Sequence, residues 1–188
     1  MLRVKLGNVI RYANHFESIV DGAFEKFFGE VPTASNIKNL ERALPLFNEW
    51  LIFDYKLKSG GTFLTEYFLR NPDKLSEDLL SDLKQIIDTQ CFELLEIQSI
   101  KRGNWINVRG FYTNKTYTIS DYRGSLTAPG VGIFWGRVSK VNNEYLLVGS
   151  DSLFFSVITT TRFKRLFSAS KTSRFSPRDA IPILLHEA

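Results

Sequence analysis

The chain has 188 residues, of which 44% are hydrophobic and 23% charged; that is enough for one large domain or two small ones, and too apolar for global disorder. Its one cysteine, Cys91, excludes an intramolecular disulfide framework and a cysteine-based zinc site. The net charge of +4 is unevenly divided: residues 1–100 carry 11 Lys/Arg against 15 Asp/Glu, and residues 101–188 carry 13 against 5. A basic half of this kind suits a polyanion; attraction between the two halves and plain solubilising charge remain open as alternatives. No stretch reads as a leader peptide or approaches the roughly 18 apolar residues of a spanning helix. The expectation is a cytoplasmic protein with no membrane role.

From the N-terminus, Leu2, Val4 and Leu6 alternate with Arg3 and Lys5, which predicts a short extended lead-in. Asn8 is a helix cap, and Val9, Tyr12, Ala13, Phe16, Ile19, Val20, Ala23, Phe24 and Phe27 follow a helical period to about Phe28. His15 falls on the polar side of that helix, as a solvated residue would. A second helix begins near Ser35, with Ile37, Leu40, Leu44, Phe47 and Leu51 as its apolar stripe. Pro45 lies inside it and predicts a kink or a restart. Thr62 caps a short helix through Arg70, Asn71-Pro72 stops it, and Ser76-Glu77-Asp78 opens another that runs to about Gln90.

From Cys91 the pattern changes. Residues 91–100, 104–111, 116–122, 131–141 and 144–149 are short, β-branched and aromatic. Lys101-Arg102-Gly103, Thr113-Asn114-Lys115 and Asn142-Asn143 supply turns. Residues 153–167 read ambiguously, since Leu153, Phe154, Val157, Ile158 and Leu166 fit a helix that Thr159 to Thr161 weaken, and Ser176-Pro177 opens a short terminal helix. The expected fold is α+β: a helical bundle over 1–90, a five-stranded antiparallel small barrel of SH3-like or OB-like type over 91–150, and a basic helical C-terminal segment over 151–188.

One segment stands out chemically. Phe47-Asn48-Glu49-Trp50-Leu51-Ile52-Phe53-Asp54-Tyr55 encloses two carboxylates in an apolar run. Buried carboxylates need a partner or a shifted pKa. Asp54 therefore reads as a buried latch between the helical part and its neighbours, and Trp50, Phe53 and Tyr55 as core.

The order Phe47…Glu49-Trp50…Phe53-Asp54-Tyr55, then Gly61-Thr62-Phe63-Leu64, Tyr67-Phe68-Leu69 and Leu75-Ser76, resembles a segment of uncharacterised bacterial proteins. In them an F-x-E-W-x-x-F-D motif leads into a short helix and a small β-module, and a SEC-C zinc-binding motif often follows. Phe92-Glu93-Leu94-Leu95-Glu96-Ile97 and Trp105-Ile106-Asn107-Val108-Arg109 echo the β-module. The resemblance spans residues 45–150 and implies architecture. No zinc role is carried over, because Cys91, His15 and His186 do not make the SEC-C cluster.

No catalytic signature is present: two distant histidines, one cysteine, no HExxH, P-loop or GxSxG. No catalytic residue, metal or cofactor is assigned. Arg162, Lys164, Arg165, Lys171 and Arg174, with Phe163, Phe167 and Phe175 interleaved, resemble a phosphate-holding patch to which Arg102, Arg109, Lys115 and Arg123 add charge if they share one face of the sheet. The sequence thus favours a non-catalytic module that binds DNA or RNA. A protein-interaction module, and an enzyme using a buried carboxylate such as Asp54, are the alternatives; the oligomeric state is open.

Overall fold

The computed structural model describes residues 4–29, 37–111, 113–149 and 153–155, the side chains of 37–42 and 153–155 excepted. The chain divides into two compact units, a helical one that runs to Ile87 and a β unit that starts at Asp88.

The helical unit holds α1 (Leu6–Ala13), α2 (Glu17–Phe28), α3 (Ile37–Phe53) and α4 (Phe63–Arg70), with α5 (Glu77–Thr89) closing it. The expected single helix from Asn8 to Phe28 is two helices, and Leu6 belongs to the first of them. The break at residues 14–16 has a local cause and a tertiary one. The His15 ring hydrogen-bonds the Arg11 carbonyl through Nδ1 at 2.8 Å. Phe16 turns its ring onto Tyr12 and Phe63, with centroids 5.3 and 5.9 Å away. Packing overrides a helical period that continues through the break. α3 runs through Pro45 without a restart. Its C-terminal half supplies the core: Phe47 and Trp50 pack on Phe27 at 5.5 and 5.2 Å between centroids, and Leu51, Ile52 and Phe53 are buried. Thr62 caps α4 as expected, accepting the Thr65 N–H at 3.3 Å. Asn71 ends it in the left-handed conformation, φ 42°.

The β unit contains β1 (Cys91–Lys101), β2 (Trp105–Gly110), β3 (Thr116–Ser120), α6 (Tyr122–Thr127), β4 (Ile133–Val141), β5 (Glu144–Leu147) and β6 (Leu153–Phe155). The hydrogen-bonded order is β1-β2-β3-β5-β4-β6, and β4 also pairs with β1. β6 continues along the edge of β4 that β5 occupies, since Ile133 to Trp135 pair with β1 on one side and with β6 on the other. The sheet is mixed, not antiparallel throughout: β3 meets β5 in parallel through Ile119 and Tyr145. Strand-by-strand patterning cannot foresee that, because the direction of a pair depends on the path of the chain between its members.

β1 serves two partners. Cys91 to Glu96 pair with β4, Leu95 to Lys101 pair with β2, and a bulge at Gln98 separates Ile97 from Ser99. A bulge bends and twists a strand locally, and here it lies where β1 leaves β4 for β2. Leu95, Ile97, Ile106, Val108, Tyr117, Ile119, Phe134 and Val138 form the apolar core. Asn142 and Asn143, both at positive φ (49° and 66°), make the β4–β5 turn. α6 was not foreseen: Tyr122, read as the end of a strand, opens a helix instead. Of the expected basic helical tail, only β6 is described, and it is a strand; the rest lies outside the described residues.

Candidate functional site

At one end of the β unit, three elements are bound together by polar contacts. Asp121 caps α6 by accepting the Gly124 N–H at 2.9 Å. Ser125, fully buried, accepts the Asn104 N–H at 3.1 Å and donates to the Tyr122 carbonyl at 2.9 Å. Arg102 Nη1 donates to the carbonyls of Ser125, Leu126 and Ala128 at 2.9, 2.9 and 2.7 Å. These are the last carbonyls of α6, where a cation is favoured. Arg102 thereby fastens the β1–β2 turn to the helix. Tyr122 is 65% exposed and lies against Gly103, whose positive φ of 70° allows the turn to close there. Gly103, Asn104, Ser120, Tyr122, Arg123 and Leu147 are among the residues around a cleft of about 600 Å³.

The outer face of β2 and β3 adjoins this cleft through Ser120. Ile106 and Val108 point into the core, so the alternate residues Trp105, Asn107 and Arg109 share the other face with Thr116, Thr118 and Ser120, their cross-strand partners. Trp105 is half-buried and flanked by Lys101 on β1. Thr118 donates to Asn107 Oδ1 at 2.7 Å. Arg109 pairs with Glu96 at 2.6 Å. Lys101, Lys115 and Arg123 have no carboxylate partner among the described residues. The two acids nearby, Asp121 and Glu96, are engaged within the unit.

A buried carboxylate lies inside the sheet. Glu93 is 3% exposed. Its Oε1 accepts from the Thr113 N–H and hydroxyl at 3.0 and 2.8 Å, and its Oε2 from the Tyr117 hydroxyl at 3.3 Å. Burial, and then the Glu93 charge, push Tyr117 up to about 12. That keeps the phenol protonated as a donor. Through these bonds Glu93 ties Thr113 and Tyr117 to β1. It needs Gly110 opposite, since a Cβ there would overlap the carboxylate.

The structure redistributes the sequence-based candidates. Arg102 and Arg123 are placed at the same end of the β unit, although Arg102 spends one nitrogen on α6. Arg162, Lys164, Arg165, Lys171 and Arg174 lie outside the described residues. In the helical unit Trp50 and Phe53 are core, while Tyr55 is half-buried. The buried acid of that segment is Glu49, 3% exposed, and Asp54 is only half-buried. Helical periodicity explains the exchange: Glu49 lies within α3, between Leu46 and Ile52 on its buried side, and Asp54 follows the last helical residue. Cys91 is exposed. Among the described residues, no three His, Cys, Asp or Glu side chains are grouped as a metal site, and no helix is long and apolar enough to cross a membrane. Trp105 and Tyr122 are not marked as surface aromatics by the sequence, since Trp105 reads as one more apolar strand residue and Tyr122 opens a helix that the strand pattern does not foresee. Comparison with family models, curated proteins and solved structures finds no match.

Proposed function

We propose that the β unit is a small OB-like barrel that binds single-stranded nucleic acid across the outer face of β2 and β3 and into the cleft beside α6. The observation that carries this reading is the circular pairing of five strand positions. β1 joins β2 and β4, β5 joins β3 and β4, and α6 lies between β3 and β4. That arrangement suits the five-stranded, partly open barrel whose β2–β3 face and flanking loops take oligonucleotides. Fold alone does not give function, so the side chains must supply the chemistry. Trp105 and Tyr122 offer rings for base stacking, and Lys101, Lys115 and Arg123 offer charge for phosphates. Arg102 acts here by fixing α6, and through it Tyr122 and Arg123.

The test is fluorescence anisotropy of mixed-sequence single-stranded DNA and RNA across a salt series. Affinity should fall as salt rises. Trp105→Ala and Tyr122→Ala should each weaken binding by about 1–3 kcal/mol, and Arg123→Glu should flatten the salt dependence. Absence of binding at low salt, or binding indifferent to all three variants, would sink the proposal.

A second reading rests on the seam between β3 and β5, which a single residue pair closes. The remaining edge of β3 then suits an added peptide strand. It predicts a protein partner whose binding is insensitive to salt and to Tyr122→Ala.

A further inference from the structure

We propose that the helical unit carries a separate ligand site, a cleft among α1, the first turns of α2, residues 55–59 and α4, that takes a small ring-bearing organic phosphate of mononucleotide size. The cleft measures about 640 Å³, within the roughly 300–1,000 Å³ of pockets that bury small organic ligands. Two kinds of side chain meet in it. Tyr12, Phe16, Tyr55 and Phe63 form aromatic walls, and Lys56, Lys58 and Arg70 bring cations. Phe16 remains 38% exposed although its ring packs on two others. The one carboxylate around the cleft among the described residues, Glu66, is held by Ser59 at 2.9 Å and by Arg70 at 3.1 Å. Lys56 and Lys58 therefore leave the cleft positive in the half of the chain that is negative overall.

An independent observation comes from α2. Gly22 sits in the middle of this 12-residue helix, where glycine is unfavourable relative to alanine. Outside its own helix backbone, no atom of the described residues lies within 4 Å of where its Cβ would be, and its φ is not positive. Neither close packing nor backbone conformation calls for a glycine. Gly22 does line the cleft, and the missing side chain keeps that wall open. The first turn of α2 adds to the attraction: Ser18 borders the cleft and, among the described residues, no side chain caps the helix N-terminus, so its N–H groups favour an anion, partly offset by Glu17.

A ring lying on the aromatic walls with its phosphate at the lysines uses both features. Inorganic phosphate leaves the walls unused, and an uncharged ring leaves the lysines unused. The cleft lies wholly within the helical unit, so this inference stands apart from the nucleic-acid reading of the β unit.

Isothermal titration calorimetry of the full chain with adenosine monophosphate, adenosine and inorganic phosphate tests it. Adenosine monophosphate should bind saturably, and about tenfold or more tightly than either fragment. Gly22→Leu, which fills the cleft, should fold normally by circular dichroism and lose binding, whereas Gly22→Ala should keep it. Lys56→Ala with Lys58→Ala, both at exposed positions, should weaken binding about tenfold and carries the test if Gly22→Leu does not fold. Trp105→Ala and Arg123→Glu should leave the affinity unchanged. No saturation at millimolar adenosine monophosphate, an unchanged affinity in the lysine pair or in a folded Gly22→Leu, or loss in the β-unit variants would overturn the proposal.

Discussion

The two units settle their polar groups in opposite ways. In the helical unit most solutions are local, although Asn8 donates to Asp73 at 2.8 Å, 65 residues on. Thr62 caps α4 three residues away, Asn71 bonds Leu75 in both directions over four residues, and Tyr67 donates to Asp73 at 2.7 Å. In the β unit they are distant: Arg102 reaches carbonyls 23 to 26 residues on, and Glu93 gathers donors 20 and 24 residues away. The difference has a functional lesson. Local contacts fix one element at a time, whereas long-range clamps bring loops from separate parts of the chain to one place. The candidate interface of the β unit depends on the second kind.

Variants can break this contrast. The largest effect is expected from Gly110→Ala, because the new methyl group collides with the Glu93 carboxylate and displacing it breaks that group's buried hydrogen bonds to Thr113 and Tyr117. A loss of about 3 kcal/mol should appear as a lower Tm with the helical content retained. Arg102→Ala removes three hydrogen bonds from a charged donor. It should cost about 1.5–3 kcal/mol and also weaken oligonucleotide binding, by freeing α6. Thr62→Ala, the local counterpart, should cost about 1 kcal/mol and leave that binding untouched. An equal effect of Arg102→Ala and Thr62→Ala on binding would remove the distinction.

The mildest comparison is in alkali. Burial pushes both Tyr67 and Tyr117 up to about 12, aided by Asp73 in one case and Glu93 in the other. In the unfolded chain both phenols ionise near 10. Their contribution to stability is therefore complete below about pH 10 and fades as pH rises toward 12. Denaturant titrations over that window should show falling stability, and Tyr67→Phe and Tyr117→Phe should each flatten the curve.

Much of the architecture was legible in the residues. The five strands and their turns fall within a few residues of expectation, because alternation and Asn-Asn or Gly turn chemistry are local signals. α4 and α5 were equally readable from Thr62 and Ser76. What escaped was set at a distance. The break before Glu17 depends on Phe63 accepting Phe16. The parallel β3–β5 pair depends on the path of the chain, and α6 depends on Arg102 and Ser125. The buried acid was assigned to Asp54 because composition marked the segment without marking its faces. On the candidate interface the charges of Arg102, Arg109, Lys115 and Arg123 are legible in the sequence; Trp105 and Tyr122 are not, because they depend on the pairing of β2 with β3 and on α6.

Glu93 and Gly110 also carry a consequence for ancestry. A methyl group at position 110 and the carboxylate at position 93 compete for one space, so a change at 110 is tolerated best once the acid at 93 has changed, whereas the acid can change first. A distant cousin with a larger residue at 110 is expected to have a shortened, lost or displaced acid at 93, and with it a weakened hold on Thr113. That linked pair, rather than the conspicuous Trp50 segment, is the mark by which divergent copies of the β unit should be sought.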